Sequence, residues 1–197
     1  MKIIQNSIKS SLFAAVLVAT ALPLMAQQQK RVNSTGGNSP HETTGAVIGD
    51  RRTGCRVTIT YGRPYAKGRT IWGSAKDKAL VPDGKAWRLG SDEATTLITQ
   101  QPLKFGETTV PAGAYTLYMV PDVNGASKLA ISTKLGAWGI PVDESHDLSQ
   151  VELKKETLDQ PVEQLTINVE RDSSGTGGTI KISWDKLAFS APFTVVK

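Results

Sequence analysis

The chain has 197 residues, 23 Lys and Arg against 18 Asp and Glu, a formal net charge of +5 and one Cys. A single Cys excludes an intramolecular disulfide. The basic residues are spread along the chain, with no Lys/Arg stripe interleaved with aromatics, so nucleic acid is not expected as a partner.

Residues 1–26 read as a cleavable signal peptide. Lys2 and Lys9 give a positive start without an acid, and Leu12 to Leu22 is an apolar run. Pro23 breaks that run, and Leu24-Met25-Ala26 puts a small residue before Gln27. The run is well short of the roughly 20 residues a spanning helix needs. No later segment is apolar enough to span, so the expectation is export to the periplasm or the medium, with no membrane span. A lipid anchor would require a Cys directly after the apolar run; the only Cys is Cys55, so none is expected. Removing 26 of 197 residues leaves 171, the size of one domain, and the loss of Lys2 and Lys9 lowers the net charge from +5 to +3.

Gln27 to about Gly45 is polar and rich in Gln, Asn, Ser, Thr and Gly, which predicts a flexible leader. Residues 46–197 are expected to form a single domain. From Cys55 the chain alternates: Cys55, Val57, Ile59 and Tyr61 share one face, and Arg56, Thr58 and Thr60 the other. Period two with β-branched residues predicts a half-buried strand. The pattern recurs at Ala94 to Thr99, at Tyr115/Leu117/Met119, at Leu129/Ile131 and at Val151/Leu153. It appears again at Leu165/Ile167/Val169, at Ile180/Ile182/Trp184 and at Phe193 to Val196.

The connections carry turn chemistry. Arg171 to Gly178 is a hairpin loop, Val110 to Gly113 a Pro/Gly turn, and Pro121 to Gly125 another. Helical signal is confined to Ser74 to Leu80, with Ser74 as cap, and to a segment at Leu135 to Trp138 too short to matter. Many short strands joined by Gly/Pro turns predict an all-β fold, an antiparallel β-sandwich with little helix.

Catalytic signatures are scarce. The two His, His41 and His146, are expected to be solvated, His41 in the leader. With no Cys pair and no HExxH there is no metal signature, and no P-loop, Rossmann glycine pattern or G-x-S-x-G elbow points to a cofactor or a catalytic serine. Cys55 shares its face with Val57 and Ile59, which makes it a buried small hydrophobe.

One stretch stands out. Tyr61-Gly62-Arg63-Pro64 ends the first alternating run, and Gly68-Arg69-Thr70-Ile71-Trp72-Gly73 follows. Then come Leu80 to Gly90, with Trp87-Arg88, and Ser91-Asp92-Glu93-Ala94-Thr95. These motifs, with Pro111-Ala112-Gly113-Ala114-Tyr115 and Trp138-Gly139, resemble a family of secreted bacterial proteins common in Bacteroidetes and classed only as a domain of unknown function. The resemblance runs from about Cys55 to Val195 and implies no activity. The chain departs from the family's pattern by a small insertion at Ser74 to Ala79 and by Asp92 where relatives often carry an asparagine.

Read from the residues, Tyr61, Arg63, Arg69, Trp87, Arg88, Asp92, Glu93 and Thr95 are the candidate ligand-binding set. Guanidinium groups offer planar forks for a carboxylate or phosphate, and loops on a rigid scaffold are where binding residues sit. Trp87 and Arg88, adjacent on an extended segment, point to opposite faces. An architectural reading competes: Arg63 or Arg88 pairs with Glu93 inside the sandwich and pins loops. Trp72, Trp138 and Trp184 are expected in the core. The leading functional expectation is an exported, non-catalytic module binding an envelope ligand or protein. The alternatives are a small hydrolase using Glu93 with Arg63 or Arg88, and a purely structural envelope protein.

Overall fold

The computed structural model describes residues 39–197. The expected signal peptide, and the expected leader as far as residue 38, lie outside the described residues. The strands are β1 (His41–Ile48), β2 (Cys55–Gly62), β3 (Trp72–Gly73), β4 (Val81–Pro82), β5 (Thr95–Thr99) and β6 (Leu103–Phe105). They continue as β7 (Thr108–Val110), β8 (Gly113–Val120), β9 (Lys128–Ser132), β10 (Asp147–Glu152), β11 (Lys154–Arg171) and β12 (Gly177–Val195).

Two antiparallel sheets form a sandwich. One has six strands in the order β1-β2-β5-β8-β9-β10; the other has four, β11-β12-β6-β7. Alternation explains the packing. Val57 and Ile59 of β2, Leu97 of β5, Leu117 of β8 and Ile131 of β9 face Leu165 and Ile167 of β11 and Ile180 and Ile182 of β12, all fully buried. The opposite faces of these strands take the polar residues, as a period of two requires.

Aromatic packing closes one part of the core. Trp87 stacks on Trp184 at 5.8 Å and 20°, and Trp72 meets both edge-on at 5.9 and 6.3 Å. Trp72 also donates from Nε1 to the Trp184 carbonyl at 2.9 Å. Trp138, expected in the core, is instead 51% exposed, because it lies on a loop outside the six-stranded sheet and not on an inward-facing strand position.

Two further expectations are corrected. His41 to Gly45, read as leader, form the start of β1, which pairs with β2 from His41↔Gly62 to Ile48↔Cys55. As an edge strand, β1 is half-wet on both faces and buries only Ile48 fully, so it lacks the apolar alternation that announces a strand. Phe193 to Val196 is not a separate strand. The chain from Gly177 to Val195 stays in one 19-residue strand, bent through register shifts against β11 and through Asp185 at φ 50. The short β6–β7 hairpin, turning at Gly106 (φ 56), was not among the expected strands and buries Leu103, Phe105 and Val110. Ser74 does cap a helical turn, a 3₁₀ turn over Ala75–Asp77.

Tyr61 ties the two sheets. Its hydroxyl accepts from Ile167 N at 2.8 Å and donates to Ile167 O at 3.4 Å, inside the core. Tyr61→Phe keeps the ring and strips the buried Ile167 N–H of this acceptor. The expected loss is about 1–3 kcal/mol of unfolding free energy in urea denaturation. A midpoint unchanged from the native chain would show that the tie contributes nothing.

Candidate functional site

Arg63 lies just beyond β2, 6% exposed. Its Nε donates to Leu165 O at 2.9 Å, NH2 donates to Thr166 Oγ1 at 2.8 Å, and NH1 meets Glu42 Oε2 at 2.6 Å. The loop carbonyl of Arg63 accepts from Gln164 Nε2 at 3.1 Å. The guanidinium is spent on β1 and β11 and is not available to hold a substrate charge. The architectural reading holds for Arg63, with Glu42 as the partner in place of Glu93, because the pairing of β1 with β2 brings Glu42 alongside.

Glu93 pairs with His41, Nε2 to Oε2 at 2.9 Å, the histidine side chain 12% and the glutamate 54% exposed. His41 is therefore an ordered, largely buried partner and not a solvated leader residue. Arg69 clamps its own turn, donating to Ala66 O at 3.0 Å and to Tyr65 O at 2.5 Å. Thr95 is fully buried and donates to Leu89 O at 2.9 Å. Asp92 (φ 64) and Leu89 (φ 58) take left-handed backbone in the tight loop between them. Gly62 permits that loop to sit on β2, since a Cβ there would lie 2.1 Å from Ser91 O. Trp87 exchanges backbone hydrogen bonds with Met119, both at 2.8 Å, and packs into the aromatic cluster. Arg88, the next residue, emerges on the other side, as the alternation anticipated.

That side holds a groove of about 100 Å³. Its floor is the outer face of β8 and β9, where Thr116, Tyr118 and Ser132 point away from the core. Its far wall is the loop from Ala137 to Asp143, and Arg88 and Ala94 complete the lining. Tyr118 is 1% and Ser132 2% exposed, although both face outward from the sandwich. Gly139 makes the wall possible. It sits at φ +81, and a Cβ there would come within 2.8 Å of Arg88 Cβ. Arg88 lies over the Trp138 ring at 5.4 Å and donates from NH1 to Trp138 O at 3.1 Å. This is a cation–π contact on an exposed indole.

The electrostatics of the groove are set locally. Burial pulls the Arg88 guanidinium below its ordinary value, opposed by the charges of Asp92 and Glu93. Lys134 meets Asp143 at 2.5 Å, and hydrogen bonds from Lys134 and Ser145 hold Asp143 well below the usual carboxylate range. Tyr118 donates to Asp147 Oδ2, which also accepts from Gln150 at 3.1 Å. Burial first, then Asp147, pushes the Tyr118 phenol well above the usual tyrosine range.

Of the eight residues singled out from the sequence, Arg88 lines the groove and the other seven do not. Trp138, Lys134, Tyr118 and Asp143 carried no site signal beyond the Trp138-Gly139 step. They converge only because β8, β9 and the loop after β9 fold over one another. Among the described residues no group of three or more His, Cys, Asp and Glu is placed to hold a metal ion.

Two outcomes are expected. Arg63→Met should cost about 1–3 kcal/mol by removing the bonds to Glu42, Leu165 and Thr166, and adding Glu42→Gln should recover part of that loss in the same denaturation assay. Non-recovery would remove the ion pair from the account. A raised phenol favours folding below the ordinary tyrosine value near pH 10, and that contribution fades as pH rises through the folded value. Ultraviolet titration should therefore show a late tyrosine step, and Tyr118→Phe should reduce it. A titration unchanged by the substitution assigns the late step elsewhere.

The family model described as Protein of unknown function (DUF2911) matches residues 39–193, from the start of β1 into the end of β12, and the chain belongs to that family. No curated protein and no solved structure matches it.

Proposed function

We propose that this member of the family is an exported, non-catalytic binding module of the cell envelope, and that its ligand occupies the groove lined by the Arg88–Trp138 pair. The observation that carries the reading is the Arg88–Trp138 pair itself: a guanidinium laid on an exposed indole at the rim of an open groove. Nothing in the packing of the sandwich needs it, since Trp138 sits outside the core cluster. Large aromatics and Arg held on a rigid sheet are the residue types that anchor ligands. Export is supported by the order of positive, apolar and small residues over residues 1–26. The hydrolase reading loses its substrate-holding Arg63, whose guanidinium is occupied by Glu42, Leu165 and Thr166.

Two measurements test this. Expressed in a bacterial host, the protein should be recovered outside the cytoplasm with Gln27 as its first residue by mass spectrometry; full-length cytoplasmic protein would refute export. Titration of the mature chain with a panel of organic acids, glycans and peptides, read by Trp fluorescence, should give a saturable change that Trp138→Phe removes. At 100 times Kd the ligand should add about 2.7 kcal/mol to unfolding. A panel in which no compound shifts either the emission or the Tm would refute the groove as a site.

A further inference from the structure

We infer that the groove takes a monocarboxylate carrying a short aliphatic body. This rests on the groove being a ligand site and names the chemistry it would accept. Charge comes first. The charged residues on the lining are Arg88, Lys134 and Asp143. Lys134 and Asp143 neutralise each other at 2.5 Å, which leaves one positive charge, on Arg88. The Arg88 guanidinium spends NH1 on the Trp138 carbonyl, and its other N–H groups make no hydrogen bond to a described residue. A guanidinium with free donors on one edge matches the two oxygens of a single carboxylate. Asp92 and Glu93 lie near enough to act on Arg88 but do not line the groove, and Glu93 is already paired with His41.

The remaining lining selects the body of the ligand. The hydroxyls on the floor are committed to the protein. Thr116 Oγ1 donates to Lys134 O at 2.6 Å, Ser132 Oγ to His146 O at 3.3 Å, and Tyr118 to Asp147. These hydroxyls can still accept but have no proton left to give, so the oxygens of a sugar laid here would find no donor on the floor. A phosphate dianion would meet one uncompensated cation where it needs more. Between these groups the walls are Ala94, Ala137, Ile140 and Val142, which offer only apolar surface. A volume of about 100 Å³ is smaller than the roughly 150 Å³ apolar cavity that accepts benzene, so it suits a body of a few carbons.

That carboxylate has two possible sources, a free short-chain acid or the C-terminus of a peptide ending in an aliphatic residue. The experiment uses the mature chain with four probes: isovalerate, N-acetyl-Ala-Ala-Leu, the same peptide as its C-terminal amide, and glucose. Trp emission and thermal shift are the readouts. One or both acids should bind saturably, while the amide and glucose should not. Arg88→Gln should weaken the acids about tenfold or more, the loss of one charge-assisted hydrogen bond. Lys186→Gln, an exposed cation off the groove, should leave them unchanged. Isovalerate binding as tightly as the peptide assigns the free acid; peptide binding alone assigns the C-terminal carboxylate. The amide comparison needs no variant, so it stands even if Arg88→Gln fails to fold. Amide or glucose binding as tightly as the acids overturns the carboxylate assignment while leaving the groove a site. Absence of saturable binding by either acid also overturns it, and the wider panel then decides separately whether the groove binds anything.

Discussion

Arg63 sits where three segments meet, and the geometry of the molecule follows from how its charge is satisfied. A buried guanidinium costs several kcal/mol unless its donors find partners. Here one donor takes the Leu165 carbonyl, another Thr166, and a third the Glu42 carboxylate. Those partners lie on β11 and β1, so meeting the charge fixes the edge strand β1 against β2 and the end of β2 against the opposite sheet. Tyr61, two residues earlier, adds a hydroxyl bridge to Ile167 across the same gap. The strand end is thus fastened by polar contacts inside an apolar sandwich, where each is strong because water is excluded.

With β2 fastened, the segments that follow are built outward. β3 and β4 pair in parallel over two residues and carry Trp72 to the aromatic cluster with Trp87 and Trp184. Trp87 anchors its segment to Met119, and the alternation of the backbone then obliges Arg88 to leave on the other side. An arginine one position away from a half-buried, core-packed tryptophan is in this way held at a defined place, itself half-buried at the rim of the groove. Gly139 lets the loop after β9 approach that arginine closely enough for the Trp138 ring to lie beneath it. Trp87 thus packs on the core while Arg88, next to it, lines the groove.

The two arginines with the strongest sequence signals divide the labour. Arg63 is consumed by structure, and Arg88 is left with donors to spare. Composition does not distinguish them, since each sits in a turn-rich stretch beside an aromatic residue. What separates them is whether a carboxylate is delivered to them. β1 delivers Glu42 to Arg63, while the nearest acids to Arg88 are taken by His41 or held off the groove. The edge strand that carries Glu42 and His41 was itself hidden from sequence reading. Half-wet on both faces, it shows no period of two in its apolar residues.

The sequence alone determined the fold class, most strand positions and their inward faces, the turns at Val110 to Gly113 and Arg171 to Gly178, and the burial of Cys55. Each of these depends on neighbours within a few residues: alternation along one strand, or Gly and Pro at a turn. It also determined that Trp87 and Arg88 would face apart. Only the tertiary structure decided which arginine meets which acid, that Trp138 lies outside the core, that β1 belongs to the sheet and that β11 and β12 run long. It alone decided that Tyr118, Lys134, Trp138 and Asp143 would share one groove with Arg88. Those outcomes join residues far apart along the chain, 50 positions for Arg88 and Trp138. Their pairing depends on sheet order and register, which local periodicity leaves open because many strand orders bury the same apolar faces.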